Sequence, residues 1–207
     1  MFCYNLLVDT AKTEQLLKLI SHRHVIRPRD LDSFGIPRNY LKRLVDRGQV
    51  RKVERGLYTA DRVAPSEHLS LLEVSHKVPK AVICLLSALR FHEIGTQMPS
   101  EVWIAINVKA WTPKINYPPV RIARFSGEAL RFGIQEHRIE GGSLRVYSPA
   151  KTVADCFKFR HKIGVDVALE ALRECYRQKK ASMNELWEAA KVCRVTNVIR
   201  PYMESLT

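Results

Sequence analysis

Between Gly35 and Thr59 the chain reads G-I-P-R-N-Y-L-K-R-L-V-D-R-G-Q-V-R-K-V-E-R-G-L-Y-T, and this stretch constrains the fold more tightly than any other. Laid out at about 100° per residue, Tyr40, Leu41, Leu44 and Val45 fall on one side of a helix, while Arg38, Asn39, Lys42, Arg43, Asp46 and Arg47 share the other. Pro37 suits the first helical position, where its missing N–H costs nothing, and Gly48 ends the helix. Gln49 to Val53 and Leu57 to Thr59 then have strand composition, joined by the tight turn Glu54-Arg55-Gly56, in which glycine supplies a positive φ. A short basic helix followed at once by a basic hairpin predicts a winged helix-turn-helix.

The segment before it fits. A first helix is expected from about Thr10 to His22 with Leu16, Leu17 and Ile20 inward, and a second, shorter one from Pro28 to near Phe34, with Gly35-Ile36 as the turn. From Ile36 to Tyr58 there are seven basic residues (Arg38, Lys42, Arg43, Arg47, Arg51, Lys52, Arg55) against two acidic ones (Asp46, Glu54). Such a surface matches the phosphate-lined grooves of duplex DNA. Arg38 and Asn39 sit in the first turn, where a helix inserted end-on into a major groove meets guanine and adenine edges. Lys42, Arg43 and Arg47 are placed for backbone phosphates, and Arg55 at the wing tip for a minor groove.

The whole chain of 207 residues carries a formal charge of +13 with a pI near 9.8, which suits a nucleic-acid partner. A hydrophobic content of 46% supports packed cores over one or two domains. No apolar run reaches the roughly 18 residues of a membrane span, and Met1-Phe2-Cys3-Tyr4-Asn5 lacks the basic start of a signal peptide, so a cytoplasmic protein without membrane contact is expected. Cys3, Cys84, Cys156, Cys175 and Cys193 are odd in number and form no C-x-x-C pair, which favours buried free thiols over disulfides or zinc ligands.

Asp61 to Ser66 reads as a boundary, giving a winged helix-turn-helix domain over about residues 1–63 and a mixed C-terminal domain over 64–207: an α+β protein that ends in helices. In the second domain Glu67 to Lys77 looks helical and Val78-Pro79-Lys80 breaks it. Ala81 to Phe91 reads as a buried helix, with a short strand at its start as the alternative. Glu101 to Val108, Val120 to Phe125 and Leu144 to Tyr147 have strand character. In the first of these Val102, Ile104 and Ile106 alternate with Trp103, Ala105 and Asn107, and Trp111 to Pro119 is a loop with three prolines. Ser148-Pro149 starts a helix to about Arg160, followed by helices over Asp166 to Gln178, Ser182 to Cys193 and beyond Asn197.

Catalytic and metal-binding patterns are weak. Ser148, Lys151, Thr152 and Asp155 share one helical face, but a cap, an i, i+4 ion pair and a threonine back-bond account for them structurally; as a functional face, Lys151, Thr152 and Asp155 would meet the other domain or a protein partner. The seven histidines have no metal-ligand spacing: His92-Glu93 lacks the second histidine of H-E-x-x-H, and His92 is expected to be a partly buried packing residue. A Mg²⁺ nuclease would need carboxylates beside a strand lysine, and Asn107-Val108-Lys109 offers an amide in the carboxylate's place. No cofactor, metal or catalytic residue is expected. A protein-interaction module, with the basic face docking an acidic partner, is a further alternative. It would show neither base preference nor phosphate-like salt dependence.

The chain resembles the AbiEi-type antitoxins, the transcriptional-regulator half of bacterial abortive-infection (type IV) toxin–antitoxin pairs, which act in phage defence. The matching pieces are Pro37 to Val45 with Arg55-Gly56-Leu57-Tyr58 in the first domain, and Leu86-Ser87-Ala88-Leu89 with His92, then Ser148-Pro149-Ala150-Lys151-Thr152-Val153-Ala154-Asp155, in the second. The resemblance implies a repressor that binds its own operator, and a C-terminal domain that counteracts a cognate nucleotidyltransferase toxin. Residues 1–63 hold 13 basic and 7 acidic side chains and the remainder 21 and 14, so both halves are basic. Arg121, Arg124, Arg131, Arg138 and Arg145 would extend the DNA contact or serve an acidic toxin surface. The operator would be filled by a homodimer or by monomers binding cooperatively.

Overall fold

The computed structural model describes residues 12–20, 25–54, 56–60, 68–139 and 142–206. It divides into two compact units, Met1–Leu72 with Arg138–Ser143, and Glu73–His137 with Leu144–Thr207.

In the first unit residues 12–20 are helical (α1). Strand β1 (Val25–Ile26), a 3₁₀ helix (Pro28–Phe34), α2 (Asn39–Asp46), β2 (Val50–Glu54) and β3 (Leu57–Ala60) follow. The three strands form an antiparallel sheet in the order β1-β3-β2, with Val25 opposite Thr59, Arg51 opposite Thr59 and Lys52 opposite Tyr58, and an irregularity between Lys52 and Glu54. Leu16, Ile20, Ile26, Leu31, Ile36, Leu41, Leu44 and Val50 form the core, drawn from α1, β1, the 3₁₀ helix and the turn after it, α2 and β2. The unit is a winged helix-turn-helix. The expected second helix is 3₁₀ rather than α. Leu31 is its one buried residue, so little packing favours a longer α-helix, and the left-handed Gly35 (φ +63°) stops it.

The second unit opens with the end of α3 (Leu69–Lys77), then β4 (Val82–Ile83), α4 (Leu85–Phe91), β5 (Val102–Asn107) and β6 (Val120–Phe125). A single turn α5 (Glu128–Arg131), β7 (Ile134–Ile139) and β8 (Gly142–Tyr147) come next. Helices α6 (Pro149–Lys158), α7 (Arg160–Ile163), α8 (Val165–Arg177), α9 (Met183–Cys193) and α10 (Thr196–Glu204) complete it. Ala81 to Phe91 thus takes the strand-then-helix alternative, and the turn between the two is made at Leu85, which adopts φ +47°. The sheet order is β6-β5-β4-β8-β7. β5 pairs antiparallel with β4 and parallel with β6, from Val102 opposite Val120 to Asn107 opposite Phe125. A parallel pair needs a return path of about a dozen residues. The proline-rich loop 108–119 is that path, and Arg124 fastens it by donating to the carbonyls of Val108 (3.0 Å) and Ala110 (2.9 Å) and to Thr112 Oγ1 (2.8 Å).

The alternation read in β5 does not separate a wet face from a dry one. Val102 to Ile106 are all buried, because β5 lies inside the sheet and both of its faces are covered. Helix α6 is likewise buried from Ala150 through Phe157, against α4, α8 and α9. Ser148 caps it, accepting from the Lys151 N–H, and Pro149 is the first helical residue, as expected; α9 starts with a full capping box, Ser182 with Glu185. Gly133, between α5 and β7, packs against the start of α6 and has no room for a side chain: at φ +71° its absent Cβ would lie 2.8 Å from Lys151 Cβ and 2.9 Å from Ser148 Oγ.

Candidate nucleic-acid interface

Helix α2 is placed by the turns at its two ends. At its start Ile36 donates back to the Leu31 carbonyl (3.2 Å) around Gly35, and both apolar side chains enter the core. Hydrogen bonds from Tyr40 N to Pro37 O (3.1 Å) and from Leu41 N to Arg38 O (3.2 Å) make the first turn 3₁₀-like. The α-helix therefore begins at Asn39, with Arg38 at its cap, two residues later than the position of Pro37 suggested. At its end Gly48, at φ +67°, lets Gln49 N reach back to Leu44 O (3.0 Å), closing the last turn.

Between those turns the two faces separate as the helical wheel required. Leu41 and Leu44 are buried and Tyr40 and Val45 half-buried, while Arg38, Asn39, Lys42, Arg43, Asp46 and Arg47 are all exposed. The eight residues span about 12 Å along the axis, close to the width of a B-form major groove. Arg43 lies 5.3 Å over the Tyr40 ring, which props its guanidinium on the outer side. Arg38 is held by Asp32 of the 3₁₀ helix, Nη2 to Oδ2 at 2.6 Å, and this pairing lowers the Asp32 pKa. In the wing Arg51 and Lys52 are exposed on β2, and Gly56 carries the turn at φ +79°. Arg55 lies outside the described residues. Seven of the eight residues expected to face DNA are thus exposed on one helix and one strand.

The C-terminal residues singled out from sequence are differently placed. Lys151, Thr152 and Asp155 have no exposed surface, so a partner reaches none of them directly, and the functional-face alternative is corrected to an interior one. Lys151 Nζ donates to both Asp155 oxygens (2.6 and 2.5 Å) and sits 4.2 Å from the Tyr147 ring centre and 4.7 Å from that of Phe125. Cys193 Sγ donates to Asp155 Oδ1 (3.3 Å), and Thr152 Oγ1 to the Tyr147 carbonyl (3.2 Å). Burial raises the Asp155 pKa and Lys151 opposes the shift. The apolar residues on all sides of α6, not the spacing of its charges, decide this outcome.

Among the arginines beyond the first domain, Arg121 pairs with Glu101 (2.8 Å) and lies 5.4 Å over Trp103. Arg124 fastens the 108–119 loop, and Arg145 donates to the Lys80 carbonyl (3.3 Å). Arg131 and Arg138 are exposed. His92 is half-buried, with Nε2 2.7 Å from the Tyr147 carbonyl and its ring against Phe91 and His137; burial lowers its pKa. Asn107 Oδ1 accepts from the Lys109 N–H (2.8 Å), a local turn bond that occupies the amide standing where a nuclease would place a carboxylate. Among the described residues no three His, Cys, Asp or Glu side chains gather to hold a metal, and no helix is long and apolar enough to cross a membrane.

Residues 14–60 match the AbiEi antitoxin family of transcriptional regulators. The matched stretch runs from α1 through the last residue of β3, so it takes in the helix-turn-helix and its wing, and it stops before the second unit. No curated protein matches the chain. The likeness to antitoxin transcriptional regulators therefore lies in the part of the chain that presents the basic face.

Proposed function

We propose that this chain is a sequence-specific, non-enzymatic repressor that binds duplex DNA ahead of its own reading frame, as the antitoxin of a toxin–antitoxin operon. The observation that carries the reading is α2 with its two cap residues: five exposed DNA-compatible side chains, Arg38, Asn39, Lys42, Arg43 and Arg47, backed by buried Leu41 and Leu44. Arg38 and Asn39 read bases from the first turn, Lys42, Arg43, Arg47, Arg51 and Lys52 hold phosphates, and Arg55 extends the wing. Residues 1–63 carry this role. Residues 64–207 serve the counteraction of a nucleotidyltransferase toxin, in keeping with the family resemblance.

The test is fluorescence anisotropy of the full chain on DNA from immediately upstream of its reading frame, against scrambled DNA of equal length, over a salt series. The expected result is selective binding with a salt slope of several phosphates, weakened on the upstream DNA about ten- to a hundredfold by Arg38→Ala. Equal, weak binding to both DNAs refutes the operator role.

A further inference from the structure

Asp32 and Arg38 lie on either side of the Gly35 turn, and their side chains meet in a two-point pair: Arg38 donates from Nε to Oδ1 (3.3 Å) and from Nη2 to Oδ2 (2.6 Å). Their side chains are 61% and 56% exposed for Arg38 and Asp32 respectively. A pair so open to water adds little to stability. What it does fix is the direction of the guanidinium.

A guanidinium can grip a planar two-acceptor group along either of two edges. Asp32 occupies the edge made by Nε and Nη2. Among the described residues nothing takes the edge made by Nη1 and the second Nη2 hydrogen, at the N-terminal end of α2. In the major groove its match is guanine, whose N7 and O6 both accept; adenine places a donor beside N7, which an arginine cannot satisfy. The carboxylate also repels phosphates. DNA that offers no guanine at this step meets that repulsion without gaining the two-point bond.

We propose that Asp32 is a positioning residue of the DNA-reading face: it presents the free edge of Arg38 to one guanine and disfavours DNA that lacks it. The proposal rests on the base-reading role given to Arg38 above. Asp32 touches no base itself and acts through Arg38.

The experiment compares the full chain with Asp32→Asn, Asp32→Glu and Arg38→Ala on a randomised duplex library, with the bound fraction sequenced and affinity for random-sequence DNA measured by anisotropy. Unchanged thermal midpoints establish that each variant is folded. The wild type should enrich a motif containing a guanine step that Arg38→Ala loses. Asp32→Asn should lower preference at that same step about tenfold, keep the rest of the motif, and bind random DNA as tightly or more tightly; Asp32→Glu should recover part of the preference. If Arg38→Ala loses the step and Asp32→Asn keeps it, the positioning role is refuted and the base-reading role stands. If Asp32→Asn tightens binding to every sequence with preference unchanged, Asp32 merely competes with DNA and the proposal is overturned. A motif untouched by Arg38→Ala refutes the reading role and the proposal with it.

Discussion

Lys42 and Asp46 in α2 stand at the same i, i+4 spacing as Lys151 and Asp155 in α6, yet the first two side chains are exposed and the second two have no exposed surface. The neighbours make the difference. In α2 the apolar residues Tyr40, Leu41, Leu44 and Val45 occupy one side, so only that side is drawn into a core. In α6 Ala150, Val153, Ala154, Cys156 and Phe157 surround the charges, and the helix is buried from Ala150 through Phe157. One pattern therefore yields charges available to a partner, and the other a closed pair whose ammonium lies against the Tyr147 and Phe125 rings. Charge spacing in a sequence identifies pairs; the apolar residues between them decide whether the pair faces outward.

The sharpest way to break this comparison is to remove one charge from each helix. Asp155→Ala leaves a buried ammonium unpaired and should cost about 3–5 kcal/mol, read by urea denaturation. Replacing both partners, Lys151→Met with Asp155→Leu, should recover most of that loss. Lys42→Ala on α2 should leave stability within about 0.5 kcal/mol. Its effect belongs to binding: weaker affinity on every DNA sequence alike and a salt slope smaller by about one phosphate. Should Lys42→Ala unfold the first unit, or Asp155→Ala be silent, the contrast fails.

The smallest expected effect concerns pH. Burial holds His92 below its ordinary 6.5, with His137 and Lys180 acting in the same direction against the raising bond to the Tyr147 carbonyl. The unfolded chain therefore takes up this proton first as the pH falls. Stability associated with His92 is full above pH 6.5 and is lost as the pH drops through the lower folded value. His92→Gln should flatten that decline in denaturation midpoints measured across the range.

These contrasts also mark what could be read from sequence. The faces of α2, the Gly35 and Gly48 turns and the cap of α6 were legible because each depends on residues within a few positions of one another. Strand β1 was missed: two residues, Val25–Ile26, carry no period. β7 was missed because Gln135, Glu136 and Arg138 on an edge strand of the sheet are exposed and polar. The single turn α5 is too short to show a helical pattern. For the candidate site, the exposed basic set was legible, but the grip of Asp32 on Arg38 was not, since it crosses a turn. The burial of Lys151 depends on packing between α6 and helices far along the chain, which no local spacing displays.

Cys84, Cys156, Cys175 and Cys193 are free and buried, all in the second unit, and burial pushes their thiols up, Cys175 to about 11 and Cys193 to about 12. Thiolates are the species that alkylating reagents attack, so in the folded second unit these four are shielded twice, by access and by ionisation. The described part of the first unit contains no cysteine. Label incorporated at those four positions therefore counts openings of the second unit alone, and timed labelling in the presence and absence of DNA separates the opening of that unit from events on the basic face.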